Sequence, residues 1–138
     1  MRTFYIFKIK KPYVILTRHN PFNLYKTIEH ISNVKTDELK IATNLFNQIS
    51  GTFNKDQINK LIFKKYQNAY SYTNHLNTHT IYDYHTKEQT KLIIYRSFII
   101  IQSTKQIPSF LKTIATNNNL FICDFNNKDY FWLDQAFN

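Results

Sequence analysis

The sequence predicts an α+β fold, with a single sheet of about five mostly antiparallel strands and helices packed on it. Short runs rich in aromatic and β-branched residues recur along the chain and are typical of buried strands. Segments with apolar residues at helical spacing lie between them. The 138 residues, 43% of them hydrophobic, suffice for one core, and no linker divides them. We therefore expect a single domain spanning residues 1–138.

The N-terminal segment predicts one strand, a second short apolar run and a helix. Residues 3–9 are aromatic and β-branched and indicate the first strand. Residues 13–17 follow Pro12, and we expect them to extend the sheet or form an edge. Asn20 and Pro21 then predict a helix start, because Asn is a good cap and proline tolerates the first helical position.

The middle of the chain predicts two more helices. Thr36, followed by two acidic residues, favours a helix start, and an apolar face continues to Ile49. Gly51, the only glycine, comes just past that face and predicts a left-handed C-terminal cap. Asn54 predicts the start of a third helix, with Gln57 in the capping-box position.

The C-terminal half alternates between strand and helix patterns. Residues 66–77 give no clear prediction. Alternation indicates a strand over residues 81–86, and residues 91–95 and 98–102 predict a hairpin with a short turn.

The remaining C-terminal elements are one helix, one strand and an aromatic cluster. Residues 105–116 indicate an amphipathic helix that has Pro108 in its first turn and ends at residues 117–119. Residues 120–123 predict the last core strand, and residues 130–133 form an aromatic cluster.

The net charge of +9 is concentrated in residues 1–65, which hold twelve Lys or Arg and four Asp or Glu residues. A basic surface suits nucleic acid, acidic lipid or an acidic protein, and a merely solvated surface is an equal alternative. The single cysteine excludes an internal disulfide and suits a reducing compartment. The apolar runs are too short to cross a membrane, and no signal peptide is recognisable. We expect a cytoplasmic protein without a membrane partner.

The scarcity of glycine excludes several enzyme classes together. Loops that cradle phosphates need several glycines, and so does the nucleophile elbow of hydrolases. Cys123 lies in an alternating apolar segment and is expected to be an ordinary core thiol rather than a nucleophile.

Two polar clusters remain as weak candidates for chemistry. The spacing of His75 and His79 would suit a metal on a helix, but their segment is predicted to be a loop. Asp124, Asp129 and Asp134 are close enough in sequence for acid–base work, although strand-end and capping roles are more ordinary. We predict no enzymatic activity, no cofactor and no metal.

The first strand also offers a nucleic-acid hypothesis. Its aromatic residues stand beside lysines, as in proteins that stack bases on exposed rings; these residues are Phe4, Tyr5, Phe7, Lys8, Lys10 and Lys11. Core packing of the same rings is the commoner arrangement. A small basic nucleic-acid-binding module is therefore the alternative function.

Two stretches of the sequence carry a family resemblance. The first runs from Arg2 through Lys10 to the aromatic Tyr13. The second runs from Phe98 through the helix at residues 105–116 to the Asp-Phe and Trp-Leu-Asp elements that end at Asp134. In order and spacing they resemble the family of SirA, the sporulation inhibitor of replication of Gram-positive bacteria. Phe131 and Gln135 stand where the family pattern has glycine and proline.

The resemblance implies a non-enzymatic domain whose partner is the N-terminal domain of the replication initiator DnaA. Binding there would inhibit the initiation of DNA replication. The contact surface would be the region after the first strand, together with the adjoining first helix. Tyr13 matches an aromatic position of the family, and its neighbours Thr17, Arg18 and Phe22 complete the expected partner-binding set. A half-buried ring on the sheet is the alternative for Tyr13.

Overall fold

A seven-stranded antiparallel sheet organises the computed structural model, which describes residues 1–33, 38–116 and 119–137. The order across the sheet is β2-β3-β4-β5-β1-β6-β7. The strands are β1 (Arg2–Lys8), β2 (Tyr72–His75), β3 (Thr78–Asp83), β4 (Glu88–Ile94), β5 (Ile99–Ser103), β6 (Leu120–Asp124) and β7 (Asp129–Trp132). The predicted α+β class with one sheet is confirmed, but the strands number seven rather than five.

The two strands that the sequence did not predict form the two edges of the sheet. Each is only four residues long, and each is one arm of a tight hairpin. The turns contain Leu76 (φ 53°) and Lys128 (φ 52°), which are left-handed without being glycine. These residue types give little turn signal, because Gly, Asn and Asp are the usual occupants of that region.

Five α-helices and a C-terminal 3₁₀ helix connect the strands among the described residues. They are α1 (Lys11–Thr17), α2 (Pro21–Ser32), α3 (Leu39–Ile49), α4 (Lys55–Tyr66), α5 (Ser109–Ile114) and the 3₁₀ helix (Leu133–Phe137). The predicted start of α3 at Thr36 lies outside the described residues, as does part of the predicted end of α5 at residues 117–119.

The prediction of sheet structure at residues 13–17 is wrong, because this run forms helix α1. Lys10 is extended (φ −67°, ψ 143°), and its carbonyl accepts hydrogen bonds from the N–H groups of Tyr13 and Val14. Pro12 lies in the first turn, where it needs no hydrogen-bond partner. A run of only five residues, four of them apolar, does not distinguish a strand from a short helix.

The prediction for Gly51 is also wrong, whereas that for Asn54 is confirmed. No described glycine has a positive φ, and α3 ends at Ser50 in an extended conformation. The Gly51 N–H donates to the Lys8 carbonyl at 2.7 Å, so the chain leaves α3 along the end of β1. The Asn54 side chain accepts a hydrogen bond from the Gln57 N–H and caps α4.

The sheet has two unlike faces, which we call face A and face B. Face A carries Phe4, Leu92 and Ile101 and is covered by α4 and α5. Face B carries Phe7, Phe121 and Trp132, and α2 and α3 pack against it there. On strands β2 to β5, no face-B side chain is buried. Face B is thus half covered and half open, with the covered half over β1, β6 and β7.

Candidate partner-binding site

The segment between β1 and α2, residues 10–22, forms a corner at the covered end of face B, and we call it the α1 corner. Its start is fixed to the end of α3. The Lys10 N–H donates to the Ile49 carbonyl at 2.8 Å, and the Lys10 ammonium donates to the Asn47 carbonyl at 2.6 Å. These bonds satisfy carbonyls that the last turn of α3 leaves open.

Helix α1 turns one side inward and leaves the other bare. Tyr13 and Val14 are half-buried against the face-B core, and the Thr17 hydroxyl donates to the Tyr13 carbonyl. On the outer side, Ile15 and Leu16 are 69% and 73% exposed. Helix α1 buries no residue completely, so its outer side chains have no role in the core that the structure describes.

Arg18 joins the α1 corner to the C-terminus of the domain. Its guanidinium forms an ion pair with the Asp134 carboxylate and lies over the Trp132 ring, 5.0 Å from the centroid. Trp132 is fully buried, and its ring packs edge-on against Phe121 at 5.0 Å. Arg18 therefore clamps α1 to the covered half of the sheet.

Phe22 lies at the start of α2, on the same side of the domain. It is 50% exposed, and its ring contacts Tyr130 at 6.2 Å and the Lys26 ammonium at 5.7 Å. Tyr25, one turn further, stacks on Tyr130 at 4.7 Å. Burial raises the pKa of Tyr25 to about 12, and its hydroxyl donates to Glu29. This stacked group gives Phe22 a rigid support.

The four residues predicted to bind a partner all lie in the α1 corner. Tyr13 and Thr17 lie on α1 itself, Arg18 ends it, and Phe22 opens the next helix. The alternative prediction for Tyr13 was a half-buried ring on the sheet. Its ring is half-buried, but the residue lies on a helix rather than on the sheet. The structure adds Ile15 and Leu16, two adjacent apolar residues that the strand interpretation did not single out.

The charged residues within the α1 corner segment are all basic. The first 28 residues contain no Asp or Glu, and Lys10, Lys11 and His19 are exposed on this segment. Only Asp134, which pairs with Arg18, brings a carboxylate to the corner in the contacts described above. An exposed apolar pair framed by cations is suited to an acidic surface that has an apolar groove.

The aspartate cluster is structural in its contacts. Arg2 donates to Asp124 at 2.9 Å and to Asp129 at 2.7 Å, while Asp134 pairs with Arg18. Burial alone would raise the pKa of Asp124, but hydrogen bonds from Asn127 and Arg2 outweigh it and hold that pKa below its usual range. Asp124 is therefore ionised at neutral pH, and its two oxygens accept hydrogen bonds from Arg2 and Asn127.

The histidine pair is divided between the two faces of the sheet. His75 lies on β2 and His79 on β3, and their strand positions put His79 on face A and His75 on face B. His79 is fully buried, with Nδ1 at 2.7 Å from the Tyr72 hydroxyl and Nε2 at 2.6 Å from the Asn59 amide oxygen. Within the described ranges, no group of three potential metal ligands comes together.

Four further positions discussed in the sequence analysis lie in or against the core. Cys123 is a fully buried core thiol, as predicted, and burial raises its pKa. Phe131, where the SirA pattern has glycine, packs half-buried against the face-A core. Phe4 and Phe7 are buried, so they offer no free rings to a nucleic acid.

Comparison of the chain with family models and with curated proteins found no match. None of the helices in the described part of the chain has the length and apolar character needed to span a membrane.

Proposed function

We propose that this protein is a non-enzymatic regulator that binds the N-terminal domain of the initiator DnaA and thereby inhibits the initiation of DNA replication. The sequence resemblance to the SirA family supplies the partner. One observation supports the site: Ile15 and Leu16 are exposed side by side on a helix that is anchored at both ends.

Burial of these two side chains would supply a useful part of the binding free energy. Each is more than two-thirds exposed, and covering it contributes about 1–2 kcal/mol. Tyr13 adds a partly exposed ring and Phe22 a half-exposed one, and aromatic residues are enriched at the centre of protein interfaces. A contact of this kind suits a regulator that must also be released.

The rigidity of the α1 corner favours binding as well. Lys10 ties its start to α3, and Arg18 ties its end to Asp134 and Trp132. A surface that is already ordered loses little conformational entropy on association, so more of the contact energy appears as affinity. The surrounding lysines would speed the encounter with an acidic partner.

Inhibition would follow from steric exclusion rather than chemistry. A domain of 138 residues seated on the initiator's N-terminal domain would block the surfaces through which initiator molecules assemble at the origin. No bond is made or broken, so the extent of inhibition follows the occupancy of the complex.

The test combines capture with a functional readout. Immobilised DnaA N-terminal domain should retain the wild-type protein, and the protein should reduce initiator assembly on origin DNA. Tyr13→Ala and Leu16→Asp should weaken both. Ile107→Asp is the matched control, because Ile107 is 47% exposed outside the α1 corner. Equal loss with the control, or inhibition without capture, would contradict the proposal.

A further inference from the structure

The open half of face B is a solvent-facing surface of the sheet. It consists of the outward side chains of β2, β3, β4 and β5, none of them buried, and we call it the open face. Four adjacent hydrogen-bonded strands contribute to it. It lies on the same side of the sheet as α2 and α3, which stop short of it.

Aromatic rings stand at both ends of β4 on the open face. At one end Tyr82 is 47% exposed, with the Tyr84 ring 5.0 Å away. At the other end Tyr95 is 41% exposed and contacts the ring of Phe98 at 5.1 Å. Tyr82 pairs with Gln89, so six residues of extended strand, about 20 Å, separate the two ring groups.

The polar side chains between the rings are cationic or neutral. Lys91 is exposed midway along β4, with Gln89 and Gln102 beside it. The only carboxylates on these four strands are Asp83 and Glu88, which lie on face A; Glu88 is buried there and accepts hydrogen bonds from Thr90 and Ser109. A depression of about 270 Å³ lies between Tyr82, Lys91 and Gln102.

We propose that the open face binds single-stranded nucleic acid. Exposed rings at each end would stack on bases, as aromatic side chains do in proteins that bind single strands. Lys91 would contact a phosphate between them, and the amides of Gln89 and Gln102 offer donors and acceptors to base edges. The absence of carboxylates on the face removes the repulsion that a polyanion would meet. This site is separate from the α1 corner.

Anisotropy of labelled oligothymidine and oligouridine, titrated with the full chain at several salt concentrations, tests the proposal. Tyr82→Ala and Tyr95→Ala should each weaken binding by at least about fivefold. Lys91→Ala should reduce the slope of log affinity against log salt by about one. Phe63→Ala and Lys64→Ala are matched controls, because both residues are exposed on α4 over face A.

The titration either supports or overturns binding of single-stranded nucleic acid at the open face. Weakening confined to the open-face variants, with folding verified by thermal melting, supports the site. Equal weakening by the α4 controls would mean attraction by overall charge and would overturn it. Absence of binding at about 100 µM protein in low salt would also overturn it, and would leave the open face to a protein partner.

Discussion

Arg18 and Asp134 lie 116 residues apart in sequence and form an ion pair that holds the α1 corner against the C-terminal 3₁₀ helix. Both side chains are only 21% exposed, and the guanidinium also lies over Trp132. The first and last parts of the chain are thereby fixed to each other at the proposed binding surface. Loss of the pair would affect both stability and the presentation of α1.

The first prediction concerns this pair. Arg18→Ala should destabilise the domain by about 1–2 kcal/mol, since the pair is partly buried and the ring contact is lost as well. A double-mutant cycle with Asp134→Ala, measured by urea unfolding, should give a coupling energy of at least about 0.5 kcal/mol. Strict additivity of the two substitutions would show that the pair contributes nothing.

The second prediction concerns Arg2 and the buried Asp124. Arg2→Ala should cost about 2–3 kcal/mol at pH 7, because it leaves a buried carboxylate with fewer donors. The folded pKa of Asp124 is lowered, so its stabilising contribution is present above the unfolded value of about 3.9 and is lost as the pH falls through the folded pKa. The difference in the free energy of unfolding between the wild type and Arg2→Ala should therefore become smaller below about pH 4.

Urea unfolding at pH 7, 4 and 3 measures this gap, and Asp124→Asn is the companion variant. It removes the titrating group but keeps the side-chain shape. Its stability should change less with pH than that of the wild type over the acidic range. A gap between wild type and Arg2→Ala that stays constant with pH would contradict the assignment.

The third prediction concerns His79, whose pKa burial lowers to about 4. The unfolded imidazole takes up a proton below about pH 6.5, while the folded one stays neutral. The contribution of the neutral His79 to the free energy of unfolding is fully present above pH 6.5. It is lost as the pH falls from 6.5 to 4, by up to about 1.4 kcal/mol per pH unit. His79→Gln should be less stable at pH 7 and should lack this loss. Parallel pH profiles for the two proteins would refute the prediction.

The fourth prediction concerns Gly51. A Cβ added there would meet the Lys8 carbonyl oxygen at 3.7 Å, an ordinary contact, and φ is not positive. Gly51→Ala should therefore leave stability unchanged or raise it by about 0.4–1 kcal/mol, because it restricts the unfolded chain. A left-handed cap at this position would instead lose about 1 kcal/mol or more on the same substitution. Thermal unfolding of the single variant distinguishes the two.

The sequence predicted the parts of the fold that have strong local patterns. The Asn54 cap and the hairpin between β4 and β5 follow from composition and spacing alone. The edge strands β2 and β7 are each only four residues long, and their existence depends on pairing to a neighbour, so local sequence patterns did not predict them. Helix α1 was misassigned because its run of four apolar residues fits the spacing of either a strand or a helix.

The residues predicted to bind a partner fall in one segment, and the structure adds their arrangement. Tyr13 was predicted from its match to an aromatic position of the SirA pattern and Phe22 as its neighbour, and the structure puts both in the α1 corner. The exposure of Ile15 and Leu16 depends on which side of helix α1 faces the core. The interpretation of this segment as a strand did not contain that information. The contact of Arg18 with Trp132 joins residues that are far apart in the chain, so no local sequence pattern predicts it.

Calorimetric titration of the purified chain into the folded DnaA N-terminal domain tests the central claim most directly. We predict saturable binding with a Kd in the range of about 0.1–10 µM, consistent with a small interface. Leu16→Asp should abolish the heat of binding, while Ile107→Asp should retain it. Absence of binding by the wild-type protein at about 100 µM, or equal affinity of both variants, would contradict the account.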